Sequence, residues 1–144
     1  MNTRKNMTHQ SILEIAMSGR GTRDITAAVA RVVAESGTQC GIAHVFVQHT
    51  SCSLTITENA DPDVRRDLET VISRLAPDGD PAYRHDLEGP DDMAAHARSV
   101  LTDTSLTVPV GAGRLLLGTW QGIFLWEHRA APQRRKVVVT VLGA

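Results

Sequence analysis

The chain has 144 residues, 42% of them hydrophobic, which is enough for one domain with a real core. A formal net charge of −1 argues against the basic field that nucleic acids require, and 3% aromatic content argues against base-stacking platforms. No apolar run reaches membrane-spanning length, the N-terminal MNTRKNMTHQ carries no apolar leader, and Cys40 and Cys52 form no Cys-x-x-Cys pair, so a soluble cytoplasmic domain over residues 1–144 is expected.

SILEIAM (11–17) alternates, with Leu13, Ile15 and Met17 on one face, and predicts a strand preceded by a frayed end that includes His9. GRGTRD (19–24) is punctuated by glycine and predicts a loop. Ile25, Ala28, Val29, Val32 and Val33 then recur at helical spacing, which predicts a helix over 25–36 with Asp24 as its cap and Gly37 as its stop. GIAHVFVQ (41–48) and CSLTITE (52–58) predict two strands, read as adjacent and antiparallel because only His49, Thr50 and Ser51 separate them. Asp61-Pro62 opens a helix over 62–75, with Val64, Leu68, Val71, Ile72 and Leu75 as its apolar stripe. Residues 76–90 are too rich in Pro, Gly and Asp for a regular element, and 91–102 predict a short helix with an acidic start that suits its dipole. Three strands in succession follow, at 105–110, 114–129 and 135–143, with Gly118 and Gly122 marking a bulge in the long one. The order predicts an α+β fold with mostly antiparallel sheet.

Polar residues crowd the apolar strands around 49–61, and such groups cost free energy unless paired. Glu58 ends an apolar strand and is a candidate general base, although a salt bridge to Arg65 or Arg66 explains it as well. Asp61 and Asn59 have structural explanations as a cap and a turn. His44 reads as a satisfied sheet histidine, while His128 either meets an anionic ligand together with Arg129 or is solvated. His49, His85 and His96 are ligand types for a catalytic metal, but their spacing forms no local motif and equally suits three unrelated histidines.

HTSCSLTITENADPDVRRDL, YRHDLEGPDDMAAHARSVL, SLTVPVGAGRLLLGTWQGI and EHR together resemble the YjbQ family, the secondary thiamine-phosphate synthase enzymes, over essentially the whole chain. Cys52 and Ala94 depart from the residues usual in that family. The resemblance implies a homotrimer of β-sandwich-like α+β subunits, with a divalent metal, zinc, on His49, His85 and His96. Thr50, Ser51, Asn59 and Arg129 are then expected as substrate-binding neighbours of that pocket and a small phosphorylated metabolite as partner, while Glu58, the carboxylate nearest in sequence to the HTS turn, and Gln121, between Gly118 and Gly122, are the expected catalytic residues.

The implied reaction joins a pyrimidine methyl diphosphate to a thiazole phosphate and releases pyrophosphate, so it needs cations near the leaving phosphates, for which Arg129, Arg20 or Arg23 are available. A metal with an open position suits water activation as well, which makes metal-dependent hydrolysis the enzymatic alternative. A non-catalytic trimeric module that binds a phosphorylated metabolite is the third reading.

Overall fold

The computed structural model describes residues 7–144; the polar segment 1–6, at the start of the stretch read above for a leader, lies outside them. Among the described residues the elements run β1 (Met7–Met17), β2 (Gly21–Asp24), α1 (Thr26–Ser36), β3 (Cys40–Val47), β4 (Cys52–Glu58), α2 (Pro62–Leu75), α3 (Asp92–Leu101), β5 (Ser105–Gly111), β6 (Arg114–Leu115), β7 (Gln121–Glu127) and β8 (Gln133–Gly143). They form two antiparallel sheets, ordered β1-β8-β3-β5-β6 and β2-β7-β4.

The core lies where the sheets face each other. Alternate residues of the large sheet, such as Ile15, Ala43, Val45, Val47, Val108, Val137 and Val139, meet Leu54, Ile123 and Leu125 of the small one. Val29, Val32 and Val33 of α1 join the same cluster, which is why the helix carries one apolar stripe. The α+β, mostly antiparallel expectation holds.

The first two helices begin close to where the sequence places them, although the residue at the α1 N-cap is Ile25 and Asp24 stands one position before it. The Asp24 carboxylate accepts the Thr26 amide at 2.9 Å, Gly37 takes the left-handed conformation at φ 68°, and Asp61 accepts the Asp63 amide at 2.9 Å ahead of Pro62. Four strand expectations need correction. β1 begins at Met7 and pairs with β8 along its whole length, so His9 belongs to the sheet. GRGTRD contains β2, a four-residue edge strand on β7. The long strand expected at 114–129 is broken at 116–120. Finally, β3 and β4 are not a hairpin. They belong to different sheets, and residues 49–51 lie in the crossover between them.

Gly41 faces Gly143 across the β3–β8 ladder, and a Cβ on Gly41 would lie 1.9 Å from the Leu142 carbonyl oxygen. That atom is backbone and is held in the ladder, so Gly41→Ala is expected to cost about 2 kcal/mol as an overpacking change. A lower urea midpoint at unchanged slope is the expected readout; an unchanged midpoint would contradict it.

Candidate metal centre

The site forms where the 76–90 loop folds back on the N-terminal turn of α3. Arg20 of the β1–β2 connection holds this loop by paired bonds of 2.8 and 2.9 Å to Asp78, and the Gly79 amide reaches the Pro90 carbonyl at 2.9 Å. His85 is thereby carried to α3, where Asp92 and His96 stand four residues apart on one helix face. Asp92 Oδ2 lies 2.6 Å from His85 Nε2 and 3.0 Å from His96 Nε2, and Glu88 Oε2 lies 3.4 Å from His85 Nε2. One donor atom from each of His85, Glu88, Asp92 and His96 falls within 4.8 Å of the others.

The Thr50 carbonyl fixes one proton of His96. Its Nδ1 lies 3.1 Å from the Thr50 carbonyl, which can only accept, so the proton is on Nδ1. A neutral His96 therefore turns the Nε2 lone pair toward the Asp92 carboxylate. Two acceptors at 3.0 Å repel unless positive charge lies between them, either a ring proton or a cation. The contacts of 2.6 and 3.0 Å are hydrogen-bond lengths, and the donor types, two imidazoles and two carboxylates with one imidazole Nδ1–H anchored on a carbonyl, are those that hold a divalent transition metal.

The same contacts set the ionisation of the cluster. The His85 imidazole is held above the usual histidine range by its hydrogen bond to Asp92. Burial pushes the Asp92 carboxyl up, but the His85 hydrogen bond and the charges of His96 and Arg129 outweigh it and hold the group below the usual range. Arg129 is the clamp on the whole set. Its guanidinium donates to Asp91 Oδ2 at 3.0 Å, Asp92 Oδ1 at 2.7 Å and the Glu88 carbonyl at 3.0 Å.

This geometry revises several sequence expectations. His85 and His96 come together as expected. His49 does not join the donor set. Its Nδ1 accepts from the Ser51 amide at 3.1 Å, and its ring lines an adjacent cavity of about 310 Å³ with Thr50, His96, Ser99, Val100 and Thr104. Arg129, expected at substrate, is instead engaged by Asp91, Asp92 and the Glu88 carbonyl. Ser51 is buried rather than open to a ligand.

Glu58 and Gln121 pair with each other at one end of the small sheet, while Cys52 and Glu127 pair at the other, next to Ser51. Six residue steps of strand separate the two ends, roughly 20 Å. Glu58 accepts the Asp61 amide at 2.9 Å, and Gln121 accepts the Gly118 amide at 2.8 Å, so both have local structural partners away from the histidines. Asn59 lies at that same far end, with its amide on the Trp120 carbonyl.

His44 bonds Thr107 across the outer face of the large sheet, as a sheet histidine should. His128 is buried against Ser53 rather than solvated, and burial together with the Arg98, Arg20 and Arg135 charges lowers its pKa to about 3. Burial raises the Cys52 thiol to about 12, which makes it inert.

Sequence reasoning missed Asp92 and Glu88. The helical i, i+4 pair Asp92 and His96, with His85 and Glu88 one turn-rich loop earlier, was the available signal. It also missed the buried pair Glu127 and Arg135. Glu127 accepts the Arg129 amide at 3.0 Å and Arg135 Nε at 2.6 Å, and Arg135 in turn supports Ser51 at 2.9 Å.

The UPF0047 protein YjbQ-like family model matches residues 11–144. The chain is 52% identical over 135 residues to UPF0047 protein sll1880 of Synechocystis, covering 94% of this chain and 92% of that one. It is 41% identical over 138 residues to UPF0047 protein YjbQ of Escherichia coli O157:H7, covering 95% and 99%. Among solved structures it is similar to a YbjQ-like protein of unknown function from Sulfolobus solfataricus P2, with TM-score 0.83, 27% identity and coverage of 95% and 99%. A conserved hypothetical protein from Thermus thermophilus gives TM-score 0.81, 39% identity and coverage of 90% and 97%.

Proposed function

The chain belongs to the YjbQ-like UPF0047 family, and from that premise we propose that it is a metal-dependent enzyme whose ion is held by His85, Asp92, His96 and Glu88. The observation that carries this reading is the convergence of one donor atom from each of His85, Glu88, Asp92 and His96 to within 4.8 Å of one another, with the His96 ring anchored through Nδ1 on the Thr50 carbonyl. A bound divalent ion such as zinc would supply a Lewis acid and an activated water at neutral pH.

The chain's own groups divide the remaining work. Arg129 orients Asp92 and the loop backbone at Glu88. Glu88 is the most exposed of the donors, with 64% of its side chain open. Two cavities flank the cluster. One, of about 320 Å³, is lined by Tyr83, His85, Asp86, Pro90 and Met93 among others; the second is the one shared by His49 and His96. Both suit a small polar substrate, and hydrolysis is the reaction class we favour.

Transfer of the thiamine-phosphate synthase type is the second reading, carried by the family resemblance. It requires free cations for a departing diphosphate. Arg129 and Arg20 are already engaged by Asp91, Asp92 and Asp78, which weighs toward hydrolysis. The homotrimer remains part of the proposal. Ile12, Ile42, Phe46 and Leu142 are 40–58% exposed on the outer face of the large sheet, an apolar surface that subunit contact would cover. A monomer by light scattering would remove that part.

Elemental analysis of the purified protein, followed by a hydrolase and transferase screen before and after chelation and zinc reconstitution, tests the function. His85→Ala and His96→Ala are each expected to lose most of the bound metal. Full metal content in both variants would reject the centre.

A further inference from the structure

We propose that His49 is not a metal ligand but a fixed Nε2–H donor that binds a small oxyanion in the cavity beside the metal centre. This inference deepens the metal-centre reading and rests on it for the position of the bound ligand. Its basis is a chain of hydrogen bonds whose directions are forced. The Ser51 amide lies 3.1 Å from His49 Nδ1, and an N–H can only donate. Ser51 Oγ lies 3.0 Å from the same Nδ1 and 2.9 Å from Arg135 Nη2. Arg135 also can only donate, so the hydroxyl accepts from Arg135 and turns its own proton to His49. Nδ1 thus receives two donors and carries the lone pair, and the proton of the neutral ring is on Nε2.

The relay behind this arrangement is rigid. Ser51, Arg135 and Glu127 are 1%, 2% and 0% exposed. Arg135 Nε meets Glu127 Oε1 at 2.6 Å, and a second bond joins Nη2 to Oε2. Glu127 Oε2 also accepts the His128 and Arg129 amides at 3.1 and 3.0 Å. A buried network with this many mutual bonds holds one arrangement. Burial and the nearby Arg135 charge keep the His49 imidazole below the usual histidine range, in line with a neutral ring.

A ring fixed in this tautomer would have to become an imidazolate to ligate through Nε2. The partner of a metal-binding histidine normally does the opposite, accepting a proton from Nδ1, as the Thr50 carbonyl does for His96. The two histidines beside one cavity are therefore set in opposite tautomers. With an ion in place, His96 would offer a lone pair to the donor set, whereas His49 offers a proton. Among the described residues no acceptor is hydrogen-bonded to His49 Nε2. The cavity is lined by His49, Thr50, His96, Ser99, Val100 and Thr104. An acceptor-rich ligand lying against the metal centre would find its hydrogen-bond donor in His49.

The test uses the full chain. Long-range proton–nitrogen NMR of the histidine rings should show the Nε2–H tautomer at His49 in both the metal-free and the zinc-loaded protein. His49→Ala should retain zinc within about twofold of the unmodified protein, whereas His96→Ala loses it. Inorganic phosphate added to the zinc-loaded protein should shift the His49 signals, and His49→Ala should weaken phosphate binding roughly tenfold or more, as expected for a hydrogen bond to a charged group. His49→Gln, which keeps an N–H near the same place, should recover most of that loss. An Nδ1–H tautomer at His49, or zinc lost with His49→Ala, would overturn the proposal by making His49 a ligand. Phosphate that leaves the His49 signals unmoved, or binds His49→Ala as well as the unmodified chain, would overturn the oxyanion role. Failure of the unmodified protein to bind zinc would instead strike the metal-centre reading, and the tautomer would still be read independently.

Discussion

Glu127→Ala should lower the stability of the protein by about 3–5 kcal/mol. Glu127 and Arg135 form an ion pair that is 0% and 2% exposed, on neighbouring chain segments of different sheets. Such a pair gains little over well-packed apolar groups, because both charges must leave water. Breaking it is another matter. The Arg135 guanidinium would remain buried with only Ser51 as partner, and the His128 and Arg129 amides would lose their acceptor. Two controls separate this account from simple loss of volume. Glu127→Gln keeps the shape and part of the hydrogen bonding and should still cost more than about 1 kcal/mol, since the charge is gone. The double change Glu127→Leu with Arg135→Met removes both charges and should cost less than either single change. Urea unfolding reads all of these proteins. A double variant as unstable as the sum of the singles would show that the pair is not coupled.

What the sequence could and could not reveal follows from the range of each interaction. The helices are legible because their determinants are local. Asp24, Gly37 and Asp61 act on groups two or three residues away, and the stripe of Val29, Val32 and Val33 repeats within one element. Sheet membership is non-local. A three-residue polar link between two apolar strands reads as a hairpin, yet residues 49–51 cross from one sheet to the other because Ser51 is drawn beneath Arg135, 84 residues away. The four-residue β2 carries too little pattern to register. The same distinction governs the site. His85 and His96 are suggested by the family resemblance. Asp92 escapes notice because an acidic residue at a helix start already has a local explanation, and nothing near it in sequence announces that Arg129 and His85 converge on its two oxygens. Glu58 and Gln121 err in the opposite direction. Proximity to the HTS segment in sequence does not amount to proximity in space, because an extended strand carries six residues to its far end.

Asp92→Asn should weaken metal binding by more than roughly a hundredfold while Arg129→Met weakens it by about ten- to a hundredfold, the range expected when a residue that supports a ligand is removed. The order follows from what each residue touches. Asp92 is 3% exposed at its side chain and places Oδ2 2.6 Å from His85 Nε2 and 3.0 Å from His96 Nε2, at the centre of the donor set. An asparagine there removes the negative charge, and if its amide nitrogen takes the inner position it presents protons where a cation must sit. Arg129 touches the set only through others. Its bonds to Asp91, Asp92 Oδ1 and the Glu88 carbonyl hold the helix start and the loop in register, and its charge lowers the Asp91 and Asp92 carboxyls. Without it the four donors remain, but their loop is freer and each must be ordered by the ion itself. Competition with a chelator of known zinc affinity measures both variants on one scale. Unfolding in the absence of zinc checks that neither has lost its fold. If Arg129→Met binds zinc as tightly as the unmodified protein, Arg129 does not organise the site and is available to a ligand after all. If Asp92→Asn does so, the convergence of His85 and His96 on that carboxylate is a hydrogen-bonded cluster without a metal.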